Sequence, residues 1–149
     1  MNIEIANLDD LSDILTLQKQ AFASEAEFLQ NNQIQPLIQT LKEVEDEFNK
    51  GIVLKAVDES RHIIGSIRGN AIENTLYIGK LVVDPKCQHQ GIGGQLLKAL
   101  EFLYPTFRYE LFTRSKHEKN IPFYLKNGYV PFKYETQDNI HFTYFEKNV

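Results

Sequence analysis

Cysteine is almost missing from this chain: the single Cys87 can close no internal disulfide, which excludes a disulfide-stapled fold and agrees with a reducing compartment. Long apolar runs are missing too. None approaches the roughly 20 residues that span a bilayer, and the opening Met1-Asn2-Ile3-Glu4 lacks the basic and apolar regions of a signal peptide. The expectation is a cytoplasmic protein with no membrane partner. A basic excess is also lacking. With 16 Lys and Arg against 20 Asp and Glu, a net charge of −4, the chain carries no footprint for nucleic acid and is mildly suited to a cationic, amine-bearing ligand. There is no internal repeat, linker or low-complexity stretch. What remains, 149 residues with 42% hydrophobic and 24% charged, is an ordinary globular balance, long enough for one domain (1–149) with a real core.

The stretch that organises the chain runs from Thr75 to Leu103. Thr75 to Val83 reads as a buried strand, Asp84-Pro85 as a turn, and a glycine-rich loop then opens a helix. In that helix Ile92, Leu96, Leu97, Leu100 and Leu103 recur at helical spacing. The first N–H groups of a helix have no intrahelical partner and sit at the positive end of its dipole. Glycines at 91, 93 and 94 leave those groups open to a phosphate or diphosphate. The same residues also suit a tight strand-to-helix turn with no ligand, and Gly-x-Gly-Gly alone does not choose between the two. Two better-known phosphate loops fail. No Gly-Lys-Ser/Thr follows Gly91 at the nucleotide-triphosphate spacing, and the dinucleotide fingerprint needs a glycine where Leu96 stands.

The rest of the chain falls into alternating elements. Met1 to Ala6 reads as an edge or first strand. Asn7 or Asp9 then caps a helix carrying Leu11, Ile14, Leu15, Ala21 and Phe22 on one face. Polar residues from Ser24 to Gln35 break that pattern. A second helix carries Leu37, Leu41, Val44 and Phe48 and stops at Gly51. Strands follow at Ile52 to Val57 and Ile63 to Ile72, then the Thr75 strand and the glycine-loop helix. Beyond Pro105 come a strand Tyr109 to Arg114, a short helix Phe123 to Asn127 ended by Gly128, and strands Tyr129 to Glu135 and Ile140 to Glu146 around a hairpin. The order β-α-α-β-β-β-α-β-α-β-β predicts an α/β protein in the broad sense, with a mixed sheet and helices on its faces.

Gln88-His89-Gln90-Gly91-Ile92-Gly93, after a strand ending Leu-Val-Val-Asp-Pro, resembles the acetyl-CoA signature Gln/Arg-x-x-Gly-x-Gly/Ala of the GCN5-related N-acetyltransferases, the GNAT family. Asn120-Ile-Pro-Phe-Tyr124-Leu-Lys-Asn-Gly128-Tyr129 is similar to the family's Asn…Tyr-x-x-x-Gly-Phe/Tyr block. Together with element order the resemblance spans Ile3 to Lys147. It implies a mostly antiparallel sheet of about seven strands flanked by about four helices. The implied activity is transfer of acetyl from acetyl-CoA, a co-substrate, to an amine by direct attack in a ternary complex. No metal is called for, a homodimer is compatible, and the alternative is a non-catalytic acyl-CoA-binding regulatory module.

The resemblance also implies roles for residues. Tyr124, four residues before Gly128, is the general acid for the departing thiolate. The backbone of Leu81, Val82 and Val83 holds the pantetheine arm, and Gln88, His89, Gln90, Gly91, Ile92, Gly93 and Gly94 hold the diphosphate. Asn120 hydrogen-bonds the pantetheine or phosphate arm, although His117 occupies the commoner position seven before the tyrosine. Lys86, Lys119 or Lys126 supplies positive charge near the adenosine phosphate. Direct attack leaves Cys87 without a catalytic role. Acyl transfer to an amine needs the amine neutral, and Glu110, Glu73, Glu25, Glu27 and His117 all stand as candidate bases. The acceptor is expected between Ser24–Gln39, the region of the Ile63 and Thr75 strands, and the last hairpin. The acidic Glu25, Glu27, Glu135 and Asp138 and the apolar Phe28, Leu29 and Leu37 there suit a small-molecule amine.

Overall fold

The structure, a computed structural model, describes residues 1–148. Seven strands form one sheet: β1 (Asn2–Ile5), β2 (Ile52–Val57), β3 (Ile63–Ile72), β4 (Thr75–Val83), β5 (Arg108–Arg114), β6 (Val130–Gln137) and β7 (Ile140–Lys147). The spatial order is β1-β2-β3-β4-β5-β7-β6. Every neighbouring pair is antiparallel except β4 and β5. The helices are α1 (Leu11–Leu29), α2 (Gln35–Ile38), α3 (Leu41–Lys50), α4 (Ile92–Leu103) and α5 (Asn120–Lys126).

Alternation along β2 shows how the layers form, because successive strand residues point to opposite faces. Leu54 and Ala56 face α4, packing with Leu96, Leu97 and Leu100, while Val53 faces α1 and α3 with Leu11, Ile14 and Val44. A strand covered on both sides is apolar throughout, as Ile52–Val57 is apart from Lys55. That lysine is buried against Asp10 at 2.8 Å. On the α4 side the core continues through Tyr109 and Leu111 of β5 and Phe145 of β7 to Tyr124 and Tyr129. The opposite face of β5 and β7 has little cover: Phe112 is about half exposed and stacks on Tyr144.

Several expectations about the elements need correction. The first helix does not stop at Ser24. It runs to Leu29, because Glu25 and Ala26 continue the inward stripe of Leu11, Ile14 and Gln18, and Gln30 then ends it in a left-handed turn, φ 51°. The Leu37–Phe48 segment is not one helix. Gln39 leaves the helical conformation, and Thr40 caps a new helix by accepting from the Glu43 N–H while Glu43 accepts from the Thr40 N–H. The flanking helices therefore number five. At the other end, α5 starts at Asn120, and Leu103 faces solvent.

Candidate active site

β4 and β5 are paired only at Thr75–Arg108, Leu76–Tyr109 and Tyr77–Glu110. Beyond Tyr77 the two strands part. β5 stays paired to β7 through Arg114, whereas β4 from Ile78 to Val83 has only β3 as a partner. The parting coincides with a bulge. Between the Arg68–Gly79 and Ser66–Val82 pairs β4 carries one residue more than β3, and Lys80 takes a left-handed φ of 52°. A bulge bends its strand and raises the local twist. The result is a wedge-shaped opening, one wall of which is a strand edge with unpaired amide groups. Such an edge can hydrogen-bond an extended chain of amides.

At the end of β4 the chain turns through Asp84, whose N–H donates to the Ile64 carbonyl at 2.8 Å and whose side chain accepts from the Lys86 N–H. His89 and Gly91 both have positive φ, 66° and 75°. Gly91 precedes the first turn of α4, and no side chain caps that helix. Its first N–H groups therefore face outward beside the exposed Gln88, His89 and Gln90, in the arrangement that binds anions. The glycines divide in function here. Only Gly91 is required by its backbone angle. Gly93 and Gly94 face inward instead: a Cβ at Gly93 would lie 3.7 Å from the Phe123 ring and 3.9 Å from Val83, and one at Gly94 would lie 3.9 Å from Phe123. Those are ordinary contacts, so a methyl would fit at either position and neither glycine is required by space or by backbone angle.

Tyr124 follows Phe123 in α5 and is buried among Phe123, Tyr129 and Phe145, with ring centroids 5.2–6.0 Å apart. Burial alone pushes its phenol up to about 12, so it holds its proton throughout the physiological range. Tyr129, the last residue of the same motif, is fully buried and donates to Glu101 Oε2 at 2.7 Å, with Lys147 also on Glu101. Gly128 precedes it at φ 91°. These bonds fix the strand after α5 to α4, a structural role that the motif's aromatic did not announce.

Asn120 donates its side-chain amide to Thr113 Oγ1 at 3.1 Å, and its backbone N–H to His117 Nδ1 at 3.1 Å. The first bond ties the start of α5 to β5, and the second closes the loop between them. Of the candidate bases only His117 and Glu25 come together, with His117 Nε2 3.8 Å from Glu25 Oε1; the others scatter. His117 is held low by burial, with Glu25 opposing and Arg114 reinforcing that shift; its Nδ1 lone pair already accepts from Asn120. Glu25 lies against Arg114, at 2.7 Å and 3.1 Å, with the exposed Phe28 ring 4.4 Å from the guanidinium. Glu110 is bonded to Arg108 at the closed end of the wedge. Glu73 sits in the β3–β4 turn at the far end of the sheet, and Glu27 faces solvent. Lys86, Lys119 and Lys126 are all exposed, Cys87 is half-buried against the core, and Glu135 and Asp138 are exposed on the last hairpin. Among the described residues no group of His, Cys, Asp and Glu has metal-binding geometry, and no helix is long and apolar enough to cross a membrane.

The sequence model of the acetyltransferase (GNAT) domain matches residues 49–131, more than half of the chain. The chain belongs to the GNAT acetyltransferase family. Solved structures share its fold over nearly all of their length. The PaiA N-acetyltransferase from Thermoplasma acidophilum, crystallised with coenzyme A, superposes with a TM-score of 0.79 at 20% identity, covering 100% of both chains. An aminoglycoside 6'-acetyltransferase of type Ii gives 0.78 at 20% identity over 99% of this chain and 97% of that one. The ribosomal-protein-S18-alanine N-acetyltransferase from Escherichia coli gives 0.74 at 16% over 98% and 92%. At these identities the likeness shows the GNAT fold. The matched span includes the β4 edge, the Gly91 turn, α4 and α5, so the GNAT domain contains the whole wedge.

Proposed function

We propose that this protein transfers acetyl from acetyl-CoA to the primary amine of a small molecule. The observation that carries this reading is the unpaired edge of β4, Ile78–Val83, leading directly to the uncapped start of α4. One surface thus offers amide partners for the pantetheine arm and N–H groups for the diphosphate. Leu81, Val82 and Val83 are the strand contacts, and Gln88 to Gly94 form the phosphate cradle. The co-crystallised coenzyme A of the T. acidophilum relative agrees with that donor.

In the reaction the neutral amine attacks the thioester carbonyl carbon, the C–N bond forms and the C–S bond breaks. Tyr124 is assigned to the leaving thiolate. A phenol near 12 facing a thiol near 8.5 makes full proton transfer uphill by about 5 kcal/mol. Its first contribution is therefore a hydrogen bond to the developing thiolate, with the proton following as solvent restores it. Asn120 acts by holding α5 in place. No protein base is assigned, since His117, Glu25 and Glu110 are each engaged by other groups; the ammonium proton leaves to water.

The test is release of free thiol from acetyl-CoA across a panel of polyamines, aminosugars, amino acids and peptides. Turnover with a small amine supports the assignment. Acetylation of peptides or proteins alone would refute the substrate class, and acetyl-CoA binding without turnover on any acceptor would favour the regulatory module. Without a protein base, the rising limb of kcat/KM with pH should move with the amine pKa when acceptors are exchanged. A limb that stays fixed would indicate a base in the protein.

A further inference from the structure

On the α1 side of the sheet, beside the β4 bulge, two cations are buried with little to balance them. Arg68 of β3 is 5% exposed. Its Nη2 donates to Gln18 Oε1 at 2.8 Å, its Nη1 reaches Gln39 Oε1 at 3.5 Å, and its Nε has no partner at all. Lys80 lies at the bulge itself, with its side chain only 18% exposed. One carboxylate, Glu47, serves both at long range, 3.7 Å from Arg68 and 3.8 Å from Lys80, and it already accepts from Gln39 at 2.7 Å. Burying two cations against one loosely placed carboxylate is unfavourable unless something else compensates them.

Next to this pair the sheet has a vacant place. Gly79 is the cross-strand partner of Arg68, so it faces the same side. It is solvent-exposed, and a Cβ there would meet no atom within 4 Å. This open strand face at Gly79 lies about 7 Å of strand from Leu81, where the proposed thioester would be held.

We infer that the open strand face at Gly79 is the acceptor subsite and that the charges of Lys80 and Arg68 read a carboxylate on the acceptor, which makes the substrate a small amino acid rather than a plain amine. This rests on the acetyl-CoA reading above and narrows it. The amine enters over Gly79 toward the carbonyl, and the carboxylate offers Lys80 Nζ the close acceptor that Glu47, at 3.8 Å, does not, beside the buried positive charge of Arg68.

The experiment compares kcat/KM for α-, β- and γ-amino acids with that for their amides, at saturating acetyl-CoA. An amide keeps more of its amine neutral at a given pH than the acid does, so intrinsic reactivity favours the amide. The expected result is a preference of at least about tenfold for the acid at one spacing, as suits a charge-assisted bond. Lys80→Met should bring that ratio to near unity. Gly79→Leu should raise the acceptor KM by a larger factor than it raises the acetyl-CoA Kd measured by calorimetry. Equal rates on acids and amides, a Lys80→Met change that lowers both alike, or acetylation confined to amines without a carboxylate would overturn the inference and leave the donor reading standing. Absence of acetyl-CoA binding would instead refute the reading on which it rests.

Discussion

At Gly91 the chain adopts φ 75°, where any Cβ is strained, and this single angle aims the first N–H groups of α4 outward. Gly91→Ala should cost about 1–2 kcal/mol of stability and weaken acetyl-CoA binding, whereas Gly93→Ala and Gly94→Ala, with contacts no closer than 3.7 Å, should leave both nearly unchanged. Thermal melts with and without acetyl-CoA separate the two sets; equal losses at all three would mean that the cradle needs every glycine. Tyr124→Phe removes a hydroxyl whose shift has no hydrogen-bond or charge contribution, only burial. Its acetyl-CoA Kd should therefore stay within about twofold while kcat falls about a hundredfold or more. Full activity in that variant would refute the thiolate role. At this scale the sequence was legible where a residue type is demanded by the backbone, as at Gly91. It could not tell Gly91 from Gly93 and Gly94, because a glycine demanded by its backbone angle and one under no such demand are written with the same residue.

α1 illustrates the same ambiguity for whole elements. Ser24, Glu25 and Glu27 read as a break because they are polar, yet Glu25 points inward to meet Arg114 across the sheet. A polar residue on the inner stripe carries no hydrophobic signal, and its partner lies 89 positions away. Periodicity therefore captured the strands and α4 nearly to the residue, and lost the last turn and a half of α1. The Thr40-x-x-Glu43 capping box was a local signal that the apolar stripe Leu37–Phe48 outweighed. Arg114→Met should cost about 1.5–3 kcal/mol, as for a hydrogen bond to a charged partner. Amide exchange should then accelerate in Ser24–Leu29 ahead of Leu11–Gln18. Uniform acceleration along α1 would show that Glu25–Arg114 does not hold the end of the helix.

Across the whole molecule, ionised carboxylates tie the first strand and helix to the sheet. Burial opposes the charge on Asp10, but the Lys55 ammonium and the Asn7 N–H outweigh it and hold the group below the ordinary value; Glu4 is lowered by its bond to Arg61. A lowered folded pKa means that the native state takes up its proton later than the unfolded chain does. The stability from these groups is present above about pH 4 and is lost as pH falls through the folded values. The melting temperature should be flat from neutral to about pH 5 and then drop, with a shallower drop in Asp10→Asn. An acid limb of the same steepness in that variant would exclude Asp10 from it.

Three residue pairs join the two halves of the sheet, and everything between Ile78 and Arg114 on that seam is left open. A donor lying along β4 would supply the missing rungs, so it would serve as a temporary eighth strand as well as a reactant. Ligand that binds only the folded chain stabilises it by RT ln(1 + [L]/Kd), about 2.7 kcal/mol at a hundredfold excess over Kd. Resistance to proteolysis should accordingly rise with acetyl-CoA and fall when the pool is drained, so that the lifetime of the catalyst follows the supply of its own substrate.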